Sequence, residues 1–154
     1  MTIKECLCIS LFGLYLLVFP PAALSAPLDR NATAVIYNMA QALSKYKLPP
    51  IAPTVEYVSK ERLAELVCKQ LCPQINGAQV GDHIYLLDTL DMDDPFNRAI
   101  LLHEAVHFLQ YANKGQAKDC QDWLEREYEA YGLQKYVLER IGLTLRMPIM
   151  PVCS

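Results

Sequence analysis

Apolar positions fall into two periods along this chain, and the changes between them divide it into elements. Residues 31–46, NATAVIYNMAQALSKY, place Val35, Met39, Ala42, Leu43 and Tyr46 on one helical face, which predicts an amphipathic helix. LPPIAP ends it, because proline cannot continue a helix. TVEYVS alternates and is rich in β-branched and aromatic residues, so a strand is expected over about 54–59. KERLAELVCKQLC returns to helical spacing and is closed by Pro73. Asn76-Gly77 is a turn signal, and AQVGDHIYLLD, about 78–88, carries the next strand or hairpin.

After the acidic loop DTLDMDD, helical spacing resumes in Phe96, Ala99, Ile100, Leu102, Val106 and Leu109. Asp94 fits an N-cap, Pro95 the first helical position and Gly115 the stop, giving a helix over about 95–113. A last helix spans about 119–141, with Asp119 and Asp122 at its start and Gly142 at its end. The fold class read from this order is α+β: mainly helical, with a small sheet beside the 95–113 helix and another helix after it. No repeat or low-complexity linker interrupts it.

The first 25 residues stand apart. Lys4 precedes the apolar run 6–19, which is followed by Pro20-Pro21 and then AALSA. A positive start, a short apolar core and small residues near a break describe a secretory signal peptide, and the run is short for a membrane span. Cleavage is expected after Ser25, with Ala26 as the alternative, because Pro27 would adjoin the second cut. Residues 26–154 then form one domain, secreted or periplasmic, with no stable membrane insertion after cleavage. Losing Lys4 and Glu5 leaves the net charge at −3. No basic patch or charge run appears, so a nucleic-acid partner is not expected.

Export changes the reading of the cysteines. Cys6 and Cys8 leave with the leader, and Cys68, Cys72, Cys120 and Cys153 remain. An even number in an exported domain points to two disulfides. The preferred pairing is Cys68 with Cys72 and Cys120 with Cys153, the second tying the tail to the start of the last helix. Spacing alone leaves the other connectivities open.

The chemistry concentrates in His103-Glu104-Ala105-Val106-His107, an HExxH pattern inside the 95–113 helix. Residues i and i+4 share a helical face, so both imidazoles can reach one metal ion, and Glu104 projects beside them as a candidate general base. Such a site needs a third protein ligand. His83, in the preceding strand, is poorly placed. Of Glu125, Glu127 and Glu129 on the last helix, Glu127 shares a mostly apolar stripe with Cys120, Trp123, Leu124, Tyr131, Gln134 and Leu138, where an unpaired carboxylate would be costly. Glu129 shares a more polar face with Asp122, Glu125, Arg126, Tyr136 and Arg140 and is the runner-up.

HEAVH followed by a helix carrying REYEA resembles the gluzincin branch of the zincin metallopeptidases, over roughly residues 80–135. Ala130, three positions after Glu127, matches that branch. Tyr131, at the fourth position, replaces its usual aspartate. A similar pattern occurs in small exported bacterial proteins of unknown role. The resemblance implies a minimal gluzincin-like domain with one Zn²⁺ per chain held by His103, His107 and Glu127. It also implies hydrolysis of a peptide or protein substrate, with Glu104 taking the proton of a zinc-activated water. Tyr131 is then the leading candidate to stabilise the oxyanion, with His83 and Tyr85 as others. The competing expectation is a zinc-stabilised binding or inhibitory module without turnover. A third is a latent or narrowly specific peptidase. Asp88, Asp91, Asp93 and Asp94 read as a solvated loop with an N-cap in preference to a calcium site, and Asn31-Ala32-Thr33 is a glycosylation sequon. Oligomeric state is not encoded legibly.

Overall fold

A computed structural model describes residues 28–67, 75–150 and 153. The expected leader and its cleavage after Ser25, the helical residues 68–72 with Pro73, and the Cys68–Cys72 pairing lie outside the described residues. Among those described, the order is α1 (Arg30–Ser44), β1 (Thr54–Val58), α2 (Lys60–Val67), β2 (Gly77–Val80), β3 (His83–Leu87), α3 (Pro95–Lys114) and α4 (Cys120–Arg140). This is the α+β arrangement that the hydrophobic pattern predicts.

The sheet has the order β1-β3-β2. β1 runs parallel to β3, from Thr54 opposite His83 to Val58 opposite Leu87. β2 is antiparallel to β3, with Gly77 opposite Leu86 and Val80 opposite His83. β3 is therefore central and β2 is an edge strand. The hairpin reverses at Gly81, whose φ of 63° suits glycine. The turn is thus not at Asn76-Gly77. Gly77 lies within β2 for a different reason: a Cβ there would meet Leu86, Glu104 and Ile100 at 3.0–3.1 Å. Its lack of a side chain lets the sheet edge approach α3.

α3 is the centre of the molecule. It packs against α1, α4, β2 and β3, and every residue from Leu101 to Gln110 except His107 is buried. A helix covered all round shows no polar face, so even its polar residues need partners. Asp94 caps it by accepting from the Phe96 N–H, and Pro95 occupies its first turn. The core joins Leu101, Leu102, Ala105, Val106, Phe108 and Leu109 of α3 to Ile84 and Leu86 of β3 and to Ile36, Tyr37 and Ala40 of α1.

The buried face of α1 matches the expected one only in part: Met39 and Tyr46 pack partly buried against the core. Val35 is 61% exposed and Ala42 is exposed, whereas Ile36, Tyr37 and Ala40 face α3. Tyr37 meets the Phe108 ring edge-on at 5.9 Å. Two apolar stripes overlap on this helix, and the aromatic contact across α1 and α3 selects one of them.

α4 starts at its Asp119 N-cap, which accepts from the Asp122 N–H. Its buried residues are Arg126, Ala130, Gln134 and Leu138. Arg126 holds the α3–α4 turn: its guanidinium donates to the Gly115 and Gln116 carbonyls and pairs with Asp122 at 2.8 Å. The expected bridge forms between Cys120 and Cys153, which fastens the C-terminal tail to the first turn of α4. No helix among the described residues is long and apolar enough to cross a membrane.

The Arg126 side chain, with help from the Lys118 N–H, holds the Asp122 carboxyl at about 2, below its ordinary 3.8. A carboxylate depressed on folding stabilises the fold above its unfolded value and loses that effect as the pH falls through its folded one. The stability of the native chain is therefore expected to drop between about pH 4 and pH 2. In Asp122→Asn this part of the decline is absent, as read from urea midpoints across that range.

Candidate metal centre

α3 and α4 together assemble the site. His103 and His107 lie one turn apart on α3, and their Nε2 atoms are 2.9 Å apart. Glu127 of α4 faces both, with Oε2 at 3.5 Å from His103 Nε2 and Oε1 at 3.3 Å from His107 Nε2. One ligand atom from each residue lies within 4.8 Å of the others. Ligands held about 2.1 Å from a tetrahedral ion sit about 3.4 Å from one another, so the spacing suits one small cation. The donor chemistry fits as well. Two imidazole nitrogens and a carboxylate are all electron-pair donors toward that point, and burying them together is costly without a positive charge between them.

The electrostatics carry the same signature. Burial alone would raise the Glu127 carboxyl, but hydrogen bonds and charge from His103 and His107 reverse this and hold it at about 2. Burial alone would lower His107, yet its hydrogen bond to Glu127 and the charges of Glu104 and Glu127 push it up. Metal binding needs the neutral imidazole and the carboxylate, so it competes with protons at this site.

The orientation of His107 is fixed from behind. Gln110 is fully buried, and its side-chain NH₂ donates to the Arg126 carbonyl at 3.1 Å and to Glu129 Oε2 at 3.0 Å. With both donors engaged, its carbonyl oxygen faces His107 Nδ1 at 2.8 Å and accepts from it. The Nδ1 proton leaves the Nε2 lone pair directed at the cluster. Tyr46 extends this chain by donating to Glu129 Oε2 at 2.7 Å. His103 is held differently: its Nδ1 is buried without a hydrogen-bond partner among the described residues, and the Tyr131 ring covers its imidazole at 4.2 Å between centroids. Tyr131 is the position where the gluzincin pattern has aspartate, so packing stands where that pattern has a hydrogen bond.

Glu104 is buried against β2. Burial raises its pKa; the charges of His103 and His107 oppose this, Glu127 adds to it, and the Gln79 backbone N–H opposes it slightly. That N–H comes from the edge strand, so β2 also helps to position the carboxylate. The cluster and Glu104 open into a cleft of about 820 Å³, lined by β2, α3, the α3–α4 turn, the start of α4 and residues 148–150.

The sequence-predicted set His103, Glu104, His107, Glu127 and Tyr131 is thus brought together. His83 and Tyr85 are not. They lie on the central strand outside the cleft, stacked on each other at 5.7 Å, and His83 pairs with Asp82 and Glu56. The strand that borders the cleft is β2, at the sheet edge, because β3 is flanked on both sides. Glu129 stands outside the cluster, engaged by Gln110 and Tyr46. Gln110 and Arg126 escaped the sequence reading. The available signal for Gln110 was its place seven residues after His103, on the same face of an apolar helix, where an amide must find partners.

The chain belongs to a family described as a domain of unknown function, DUF6647, whose profile matches residues 30–153. No curated protein and no solved structure matches it.

Gln110 gives a direct test of the geometry. Gln110→Leu is expected to weaken zinc binding by about 10- to 100-fold, measured by competition with a chromophoric chelator. Tyr46→Phe removes only the outer hydrogen bond and should cost less. Unchanged zinc affinity in Gln110→Leu would show that His107 needs no such support.

Proposed function

We propose that this protein is an exported zinc-dependent peptidase of the zincin type, with a minimal gluzincin-like site. The observation that carries the reading is the convergence of His103, His107 and Glu127 at one point, with Glu104 beside them and an antiparallel edge strand along the same cleft. Ligand type favours zinc: two imidazoles and one carboxylate are the protein half of an open catalytic site. When bound, zinc supplies a Lewis acid and lowers the pKa of water at its open position toward about 7.

The chain's own residues account for the remaining steps. Glu104 adjoins the cluster without belonging to it, so its carboxylate is free to accept a proton from the attacking water and return it to the leaving amine. β2 presents an edge to the cleft, which suits an extended peptide bound by backbone pairing. Burial keeps the Tyr131 hydroxyl protonated by raising its pKa, and the charges of Glu127 and Glu104 act in the same sense. It can therefore donate toward a developing oxyanion. The Cys120–Cys153 disulfide agrees with an oxidising compartment, which supports export.

A zinc-stabilised binding module would use the same three ligands but has no use for Glu104. The two readings separate in one variant pair. Glu104→Gln is expected to reduce hydrolysis of a mixed peptide library by about 10²–10⁴-fold while binding one zinc per chain, as measured by mass spectrometry and elemental analysis. Glu127→Gln is expected to lose zinc as well. Equal turnover in wild type and Glu104→Gln, or none in either, would replace the peptidase with the binding module.

A further inference from the structure

The C-terminal tail is placed where the proposed mechanism does not use it. Residues 148–150 line the same cleft as the His–Glu cluster. The tail is fastened a few residues later, by the bridge from Cys153 to Cys120. Cys120 is the first residue of α4, and Glu127 lies two turns further along the same helix. α3 packs against both β2 and α4, so it forms the floor of the cleft. β2 borders one side, and α4 with its strapped tail borders the other.

Apolar side chains on the strapped side and on the adjoining end of α3 are only partly covered. Ile149 is fully exposed at 100%, Trp123 at 40% and Tyr111 at 36%, and all three line the cleft with Pro148 and Met150. Among the described residues that line the cleft, the one Lys or Arg is Arg126, and its guanidinium is engaged by Asp122 and by the Gly115 and Gln116 carbonyls. A wall with exposed apolar groups and, among its described residues, no free charge favours an uncharged apolar side chain over a charged one.

We infer that residues 148–150, held in place by the Cys120–Cys153 disulfide, form with Trp123 and Tyr111 a binding wall for a large apolar side chain of a peptide ligand. The disulfide then sets ligand affinity: without it the tail loses its anchor and the cleft loses one side. The inference rests on the peptidase reading only in taking the occupant to be a peptide.

Trp123 is the single tryptophan of the chain, so its fluorescence reports occupancy without turnover. The test titrates the zinc-loaded mature protein carrying Glu104→Gln with acetyl-alanyl-phenylalanyl-alanine amide and with its seryl and lysyl counterparts. The phenylalanyl peptide is expected to alter Trp123 emission and to bind at least about tenfold more tightly than the other two. Ile149→Ser, at a fully exposed position, should weaken it by about threefold or more with zinc content unchanged. Cys120→Ser with Cys153→Ser should weaken it further. Equal affinity for the three peptides, or unchanged affinity in Ile149→Ser whatever the disulfide variant does, overturns the inference. A failed peptidase reading would appear separately, as absent hydrolysis by the wild type with peptide binding intact.

Discussion

Electron-pair donors that converge in a buried place repel one another unless a positive charge lies between them, and the rest of this structure is arranged around that constraint. His103, His107 and Glu127 meet in this way where α3 and α4 pack. The cost of bringing them together falls as each is fixed by its own support. Gln110 sets the tautomer of His107, the Tyr131 ring covers His103, and Arg126 closes the turn that lets α4 reach back along α3. Each support is a polar or aromatic side chain on an otherwise apolar interface. The apolar core lies apart from these supports and is built mainly from Leu, Ile, Val and Phe side chains of α3 and β3.

Local signals in the sequence were legible wherever local chemistry decides the outcome. Asp94, Pro95 and Gly115 delimit α3, and Asp119 and Gly142 delimit α4, because caps depend on a few adjacent residues. The i, i+4 histidines were legible for the same reason. Glu127 followed from helical phase, although the buried stripe is centred on Ala130, Gln134 and Leu138 and leaves Glu127 at its cleft-facing edge. What the sequence concealed depends on neighbours distant in the chain. The face of α1 was decided by Tyr37 meeting Phe108. The place of His83 was decided by strand order, since pairing with β1 on one side and β2 on the other removes β3 from the edge. Arg126 reads as a surface residue until its carbonyl partners are known.

Gly77 and Glu104 connect the sheet to the chemistry. A strand edge beside α3 must lie close enough for a backbone N–H to reach the Glu104 carboxylate, and any side chain at the contact would hold it away. At Gly77 a Cβ would meet the side chain of Glu104 itself at 3.1 Å. The glycine that a local reading assigns to a turn is therefore a spacing device, and it acts on the residue proposed as general base. β-propensity argues against glycine in a strand, so its presence in β2 is a local rule set aside for a site.

The two glutamates at 127 and 129 illustrate how one helix serves both the centre and its support. Residues two apart on a helix point to different sides. Glu127 accordingly meets the histidines, while Glu129 accepts hydrogen bonds from Gln110 and Tyr46. Since Gln110 in turn accepts from His107, α4 grips the same imidazole twice: through Glu127 at Nε2 and through Glu129 and Gln110 at Nδ1. A rotation of α4 that withdrew Glu127 would also draw Glu129 away from Gln110. The position of the third donor and the tautomer of the second are thus coupled through the packing of one helix. A change in how α4 seats on α3 therefore alters both contacts of His107 together.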